Sequence, residues 1–323
     1  MLSPKDEAVK HKTLGNEYLD NGDFKNAIAE YTLAIQYDPN YAVAYANRGV
    51  AYIRMGDIEN AIKDYNQAIR CNPNDAASYY NLGNAYIKKN DFNNAIVEYT
   101  RAIECDPNDA DAYGNRANAF AKIGKLKESI ADFTKAIELN PDNAMTYCAR
   151  GEKYYMMGDL DNAIADTTKA IDLDKNYALA YGNRANAYDD VLRYTSDNKY
   201  GDGYDLYRKI IADYDKAIAL GMGGDANVHY NRACAHTAYY RSRLLTEAIK
   251  DYSKTIEIDK TYAEAYYYRG KAYWDTGKVK EAIADTAKAI ELNKKALAID
   301  PNVERVRTAL ANAERNLKLF TGQ

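Results

Sequence analysis

The sequence has little of several features that would have pointed to a particular class of protein. Its 323 residues include only 4 cysteines, 1 tryptophan, 5 phenylalanines and 6 prolines. No cysteine stands in a CxxC pair, which argues against a disulfide framework and against a zinc ribbon. No apolar run approaches the roughly 18 to 20 residues of a membrane span, and the first residues form no apolar signal-peptide core. We therefore expect a cytoplasmic protein without membrane insertion.

The charge is nearly balanced, with 43 lysines and arginines against 47 aspartates and glutamates and a net charge of −4. Such a chain cannot rely on bulk charge to bind nucleic acid, so no nucleic-acid partner is expected. Apolar content of 47% with 28% charged residues is typical of a globular protein and excludes a collagen-like fibre. In contrast, the sequence contains 32 tyrosines. An excess of one aromatic residue indicates a repeated unit.

A unit of 34 residues does recur along the chain. Small residues occupy one of its positions at Gly15, Gly49, Gly83, Ala117, Gly151 and Ala185. An aromatic residue follows three positions later at Tyr18, Tyr52, Tyr86, Phe120, Tyr154 and Tyr188. Apolar residues stepping by three and four predict the buried face of a first helix. A Gly-Asp turn such as Gly56-Asp57 ends this helix and caps a second one, which stops at a sequence such as Asp38-Pro39-Asn40.

These residues resemble the tetratricopeptide repeat (TPR), whose period is also 34 residues. The resemblance covers nearly the whole chain and implies an all-α fold: a right-handed α-α superhelix, or solenoid, of eight helical hairpins plus a capping helix. We count unit positions from the first residue of each repeat, so that Ala8 is position 1. The predicted parts are a leader at 1–7, repeats at 8–41, 42–75, 76–109, 110–143, 144–177, 178–225, 226–262 and 263–296, and a capping region at 297–323.

Two repeats are longer than the others. Repeat 6 has 14 extra residues, mostly between Asp189 and Lys209, and repeat 7 has 3 around Tyr239 to Leu245. Adjacent lengthened hairpins predict a local protrusion. In repeats 5, 7 and 8 the position of the closing proline is taken by Lys175, Lys260 and Lys294, so looser joints are expected there.

One pair of unit positions changes together among the repeats. Position 7 is arginine in six repeats, and the same six have aspartate at position 23, as in Arg48 with Asp64. The other two repeats have Leu14 with Glu30 and Leu82 with Glu98. The pattern favours a structural Arg–Asp contact within a repeat or across to a neighbour, the alternative being duplication of whole blocks.

The residues that carry chemistry do not form a recognisable catalytic site. His229 and His236 stand at core positions where other repeats have tyrosine, so a metal site is not expected. Gly221-Met222-Gly223-Gly224 has no preceding strand, which argues against a phosphate-binding loop. We predict no enzymatic activity, no catalytic residue and no cofactor.

The TPR resemblance places the other face of the first helices on the concave side of the superhelix. Asparagines are frequent there, at Asn16, Asn47, Asn81, Asn84, Asn115, Asn118, Asn183, Asn186 and Asn231. A carboxamide both donates and accepts, so such a row suits the backbone of an extended peptide. The pattern resembles the asparagine ladder of the O-linked N-acetylglucosamine transferase repeat domain. The alternative is that these asparagines solvate an open face or bond a neighbouring helix.

Charged and aromatic residues accompany the asparagines. Arg54, Lys88 and Lys122 make the first half of this face basic, whereas Asp190 and Asp275 make the second half acidic. Aromatic residues expected to be exposed there would anchor ligand side chains. They are Tyr80, Tyr155, Tyr230, Tyr267 and Trp274.

The sequence thus favours a non-enzymatic scaffold that binds a protein or peptide through an asparagine ladder, with self-association left open. One alternative is a regulatory or targeting subunit that docks through the repeat-6 insertion. Another is co-chaperone-like capture of a C-terminal carboxylate at repeats 1 to 3. Lys12, Asn16 and Asn47 match the carboxylate clamp of that family, but Ala77 and Asn81 do not, so the clamp is incomplete.

Overall fold

The computed structural model describes residues 3–194, 199–239 and 244–322. Within these residues the chain forms 17 α-helices and one short 3-10 helix, with no strand. The prediction of an all-α fold built from helical hairpins is confirmed. The chain divides into two compact units, unit 1 at 1–153 and unit 2 at 154–323.

The helices alternate between a first and a second helix of each repeat. Repeats 1 to 4 contain α1 (Pro4–Asp20), α2 (Phe24–Tyr37), α3 (Ala42–Met55), α4 (Ile58–Cys71), α5 (Ala76–Lys88), α6 (Phe92–Cys105), α7 (Ala110–Lys122) and α8 (Leu126–Leu139). Repeats 5 to 8 contain α9 (Ala144–Met156), α10 (Leu160–Leu173), α11 (Ala178–Tyr194), α12 (Gly203–Ala219), α13 (Ala226–Tyr239), α14 (Leu245–Ile258), α15 (Ala263–Asp275) and α16 (Val279–Ile299). The last helix is α17 (Glu304–Thr321).

In repeats 1, 2 and 5 the turn inside the hairpin follows the predicted Gly-Asp chemistry. Gly56 adopts a left-handed conformation with φ of 82°, which ends α3. The side chain of Asp57 then accepts a hydrogen bond of 3.2 Å from the backbone N–H of Asn60 and caps α4. The turn of repeat 3 uses Asn90 in place of glycine, with φ of 58°.

In six of the eight hairpins the core is made of small residues facing one aromatic ring, whereas the buried Thr167 and Thr286 take the place of that ring in repeats 5 and 8. Ala27, Ala61 and Ala95 are fully buried, and so is Tyr31 of the second helix. The ring of Tyr65 leaves no space at Gly49, where a Cβ atom would lie 2.7 Å from the ring edge. Close approach of the two helices therefore depends on the small residue at unit position 8.

The predicted Arg–Asp contact is present and joins both the helices of a repeat and neighbouring repeats. Arg48 donates two hydrogen bonds, of 2.7 and 2.8 Å, to the carboxylate of Asp64 in its own repeat. Its remaining nitrogen donates to the hydroxyl of Thr32 in repeat 1, at 2.9 Å. Equivalent bidentate pairs are Arg116–Asp132, Arg184–Asp213, Arg232–Asp251 and Arg269–Asp285. A planar guanidinium can bind a carboxylate through two nitrogens and a hydroxyl through the third, a geometry that the ammonium group of lysine does not offer.

The glutamates of the two repeats without this arginine have different surroundings. In repeat 1, Nδ1 of His11 is hydrogen-bonded to Oε2 of Glu30 at 2.6 Å, so histidine replaces arginine as the partner. The buried Oε2 of Glu98 has no hydrogen-bond partner among the described residues, and burial raises the pKa of this carboxyl.

The insertion of repeat 6 lengthens helices as well as their connection. Both α11 and α12 have 17 residues, against 13 and 14 in the hairpin α7/α8. Lys199 and the hydroxyl of Tyr200 bond the carboxylate of Asp161 on α10, at 2.7 and 2.6 Å. This part of the predicted protrusion is therefore held against the preceding repeat. Residues 195–198 of the insertion, and residues 240–243 of the repeat-7 insertion, lie outside the described residues.

The end of the chain differs from the predicted boundaries. Helix α16 runs through Lys294 to Ile299, past the repeat end predicted at 296, and stops at Asp300-Pro301-Asn302. Helix α17 then packs Ala313 and Phe320 into the core, as a capping helix would. None of the described helices combines the length and apolar composition needed to cross a bilayer.

Candidate functional site

The first helices of repeats 1 to 4 carry one continuous stripe of accessible residues. Each residue turns an α-helix by about 100°, so unit positions 2, 6, 9 and 13 fall within roughly 60° of one another. On α1, α3, α5 and α7 all residues at these positions are exposed or half-buried. We call this stripe the open face of unit 1.

The asparagines of the open face are joined in a network between repeats. The carboxamide oxygen of Asn16 accepts one hydrogen bond from the hydroxyl of Tyr31 and another from Nδ2 of Asn47, both at 2.9 Å. Tyr31 lies in the same repeat as Asn16, whereas Asn47 belongs to the next one. Burial raises the pKa of Tyr31 to about 12, so its hydroxyl keeps the proton that it donates.

The same arrangement recurs two repeats later. Asn84 accepts from the hydroxyl of Tyr99 at 2.6 Å and from Nδ2 of Asn115 at 3.4 Å. Nδ2 of Asn115 also donates to the hydroxyl of Tyr80 at 2.9 Å. In unit 2, Asn186 accepts from Tyr214 at 2.7 Å and from Asn231 at 3.0 Å.

This network gives the two rows of asparagines different roles. The oxygen of each linking asparagine at position 9 already accepts two hydrogen bonds. Asn47, Asn115 and Asn231 at position 6 donate from Nδ2, which leaves the carboxamide oxygen of each half-buried side chain as an acceptor for a ligand N–H. Both of the interpretations left open by the sequence thus have a physical basis, bonding to a neighbouring helix for position 9 and an oriented acceptor for position 6.

The stripe of unit 1 also carries two predicted asparagines that do not join this network. Asn81 is half-buried at position 6 of repeat 3, and Asn118 is exposed at position 9 of repeat 4. The network does not continue at Asn118, because position 6 of repeat 5 is Ala149. Lys12 is half-buried on α1, and Asn183 lies half-buried on α11 of unit 2.

The aromatic residues expected to be exposed are half-buried, and this part of the prediction is wrong. The ring of Tyr80 packs at a tilt against Tyr99, with 5.9 Å between centroids, and Tyr230 packs in the same way against Tyr252. The ring of Trp274 stacks on Phe320 of the capping helix at 4.3 Å.

The other two aromatic residues also have partners within their unit. The hydroxyl of Tyr267 accepts a 3.2 Å hydrogen bond from Asn316, and Tyr155 is hydrogen-bonded to Asp190. The reason is angular, because unit positions 5 and 12 lie roughly 40° to 120° away from the residues of the stripe. Their side chains therefore turn toward neighbouring helices of the same unit.

The charged residues of the open face are as accessible as the sequence predicted. Arg54, Lys88 and Lys122 are exposed at position 13, and no described residue forms an ion pair with any of them. These side chains lie at the carboxyl ends of α3, α5 and α7. Three unpaired cations thus line one edge of the asparagine rows.

The histidines of repeat 7 belong to the core. Nε2 of His229 bonds the backbone oxygen of Gly223 at 3.1 Å, and Nδ1 of His236 bonds the hydroxyl of Tyr207 at 2.9 Å. Among the described residues no group of three or more histidine, cysteine or acidic side chains is arranged to hold a metal ion.

Comparison with known proteins relates this fold to one family. Models described as TPR repeat match residues 15–56, 51–90, 83–124 and 237–277. Models described as tetratricopeptide repeat match residues 110–143, 133–165 and 263–296. No curated protein sequence matches the chain.

Several solved structures are similar to this chain. One is the C-terminal part of a TPR repeat-containing protein from Cytophaga hutchinsonii, with 21% identity over 78% of this chain and 97% of that one, at a TM-score of 0.62. Another is a tetratricopeptide repeat protein from Parabacteroides merdae, with 18% identity over 84% and 98% of the two chains, at a TM-score of 0.59. The MamA protein is 25% identical over 54% of this chain and 94% of its own, at a TM-score of 0.50. The repeat models, the helical hairpins and these structural relatives together show that this chain belongs to the tetratricopeptide repeat family.

Proposed function

We propose that the chain is a non-enzymatic scaffold whose open face binds an extended segment of a partner protein. The observation that carries the proposal is the orientation of the position-6 asparagines. Nδ2 of Asn47 and Nδ2 of Asn115 donate to residues of the preceding repeat, so each carboxamide is oriented by its neighbour and its oxygen is left as an acceptor. A fixed acceptor binds a peptide N–H without the entropy cost of ordering a free side chain.

Successive acceptors suit a backbone and not a particular side chain. Position 6 repeats once per hairpin at Asn47, Asn81 and Asn115, on α3, α5 and α7. An extended peptide presents N–H and C=O groups at regular intervals along its length, and an asparagine can meet either group. The neighbouring charges would then select which peptide is bound.

The proposal is tested by selecting peptides from a random library against the full chain. Replacing the ladder residues by the double change Asn81→Ala and Asn115→Ala should weaken the selected ligands by about tenfold, since each lost hydrogen bond contributes roughly 0.5–1.5 kcal/mol. Circular dichroism and a thermal melt establish that the hairpins remain folded, because Asn115 also bonds Tyr80.

The matched control replaces two asparagines in the turns between repeats. Asn74 and Asn108 are exposed and lie outside the open face, so the double change Asn74→Ala and Asn108→Ala should leave affinity unchanged. Equal affinity of the selected ligands for the ladder variant and for the native chain would refute the asparagine ladder.

A further inference from the structure

The open face of unit 1 is divided into three parallel rows. Position 2 supplies an apolar row, the middle positions supply the asparagines, and position 13 supplies a basic row. The apolar row consists of Val9, Val43 and Ala77 on α1, α3 and α5, and it ends at Asp111 on α7. Val9 and Val43 are each 50% exposed. Since positions 2 and 13 are eleven residues apart, the apolar and basic rows lie about 16 Å from each other along the helices.

The acidic side chains that follow the basic row in sequence already have other partners. Asp57 and Asp91 accept hydrogen bonds at the amino ends of α4 and α6, where the helix dipole favours their negative charge. The carboxylate of Glu59 is bound by Lys89 at 2.7 Å. Arg54, Lys88 and Lys122 have no such partner among the described residues of the chain. Asp20 holds the equivalent position in repeat 1, so the basic row begins at repeat 2.

The distance between successive cations of the basic row determines the repeat length of a ligand that can match them. First helices of neighbouring repeats are in contact, as the Asn47–Asn16 hydrogen bond shows. Packed helices lie about 8–10 Å apart, so one cation of the basic row follows another at that interval. A polyproline-II chain advances about 3.1 Å per residue and completes a turn in three residues, or about 9 Å. Every third residue of such a chain therefore faces the same row.

A β-strand fits these rows less well. Its side chains point to the same side at every second residue, or about every 6.6 Å, which falls out of register with the repeats. In a polyproline-II chain one residue of each triplet can face the basic row, one the apolar row and one the solvent. Its backbone forms no internal hydrogen bonds, so its N–H and C=O groups remain available to the asparagines.

We propose that the open face of unit 1 binds a polyproline-II-like segment of a partner protein with an acidic residue at every third position and an aliphatic residue next to it. This inference rests on the proposed function and specifies its ligand. The acidic side chains meet Arg54, Lys88 and Lys122, and the aliphatic side chains cover Val9 and Val43. Charge complementarity determines both the register and the class of partner.

The test uses three fluorescein-labelled peptides and the full chain, with binding measured by fluorescence anisotropy. The first peptide consists of four copies of the triplet Glu-Val-Pro. The second has the same composition with its glutamates adjacent, and the third has lysine in place of glutamate. We expect the triplet peptide to bind about tenfold more tightly than the rearranged one, because three exposed ion pairs each contribute modestly. The lysine peptide should not bind.

Two triple variants locate the effect on the protein. Changing Arg54, Lys88 and Lys122 to glutamine should lower affinity for the triplet peptide about tenfold and make binding less sensitive to salt. Changing Lys25, Lys63 and Lys127 to glutamine alters the net charge equally but on second helices, and should change affinity less than about twofold.

Three results would overturn the inference: no binding of the triplet peptide, equal binding of the rearranged peptide, or equal losses in the two triple variants. These results are distinguishable from failure of the proposed function. If library-selected peptides still lose affinity through Asn81→Ala and Asn115→Ala, the ladder stands and only the acidic triplet is refuted.

Discussion

His236 stands at a unit position where every other repeat has tyrosine or phenylalanine. Its neighbours are Tyr207, Asp251 and Arg232, and burial lowers its pKa despite the attraction of Asp251. The ring therefore remains neutral in the folded protein at pH values where an unfolded histidine is protonated. His236 therefore couples the folding of repeat 7 to pH.

We predict that His236 lowers stability as the pH falls below about 6.5, the ordinary pKa of histidine. The sign follows from proton binding, since the unfolded chain takes up a proton that the folded chain excludes until the pH falls through the depressed folded value. His236→Tyr, which restores the residue of the other repeats, should remove this part of the pH dependence. Urea unfolding at pH 7.5 and at lower pH measures it. Parallel pH profiles of the native and variant chains would contradict the prediction.

At the scale of residues, the sequence predicted contacts that recur from repeat to repeat. It did not predict contacts that depend on the direction in which a side chain leaves its helix. The Arg48–Asp64 pair could be predicted because the same two positions change together in other repeats. The second partner, Thr32, lies in the preceding repeat, and the signal for it was overlooked: Asn66 replaces this threonine before Leu82, where the arginine is absent. Burial of Tyr80 was missed because its position is adjacent in sequence to the open stripe but turned about 100° from position 6.

At the scale of elements, most helix ends follow from local chemistry. Asp57 caps α4 and Gly56 ends α3, as the Gly-Asp turn predicted. The end of α16 was placed too early because the count of 34 residues was carried through repeat 8. The signal that could have corrected it is Asp300-Pro301-Asn302, the same closing sequence as Asp38-Pro39-Asn40, preceded by residues that favour a helix.

The turn of repeat 3 allows a direct test of this local chemistry. Asn90 is the one residue other than glycine with positive φ among the described residues, whereas the equivalent Gly56 has φ of 82°. Glycine adopts this conformation without strain but loses more backbone entropy on folding. We predict that Asn90→Gly raises the free energy of unfolding by about 0.5 kcal/mol.

The reciprocal change provides the control for that prediction. Gly56→Asn should lower the free energy of unfolding by a similar amount, because it introduces the strain that Asn90→Gly relieves. Both are measured by urea unfolding monitored by circular dichroism. A loss of stability in Asn90→Gly would show that its side chain contributes more than the left-handed backbone costs.

At the scale of the whole molecule, stability comes from a series of neighbouring contacts and not from one central core. Within each unit, neighbouring hairpins pack on one another, and the last helix α17 packs on α16 at the end of the series. Such arrays unfold approximately as series of coupled repeats, and the terminal repeat has a neighbour on one side only. The end near α17 should therefore be less stable than the repeats within unit 2.

The single tryptophan makes this expectation measurable. Trp274 lies on α15 and its ring stacks on Phe320 of α17, with 4.3 Å between centroids. Its fluorescence therefore reports on contact between the last hairpin and the cap, whereas circular dichroism reports on all helices. We predict that tryptophan fluorescence changes at a lower urea concentration than the helical signal does.

The variant Phe320→Ala sharpens this prediction. Truncating a buried phenylalanine costs about 3 kcal/mol or more where the surroundings cannot collapse. In this variant the lost stability concerns the contact between α17 and the last hairpin. The fluorescence transition should therefore move to lower urea, while the midpoint of most of the helical transition stays unchanged. Phe133→Ala, which removes a buried ring from repeat 4 of unit 1, serves as the matched control and should move the helical transition instead. Coincident shifts of both signals in Phe320→Ala would show that the chain unfolds as one cooperative body, and that α17 stabilises the repeats far from it.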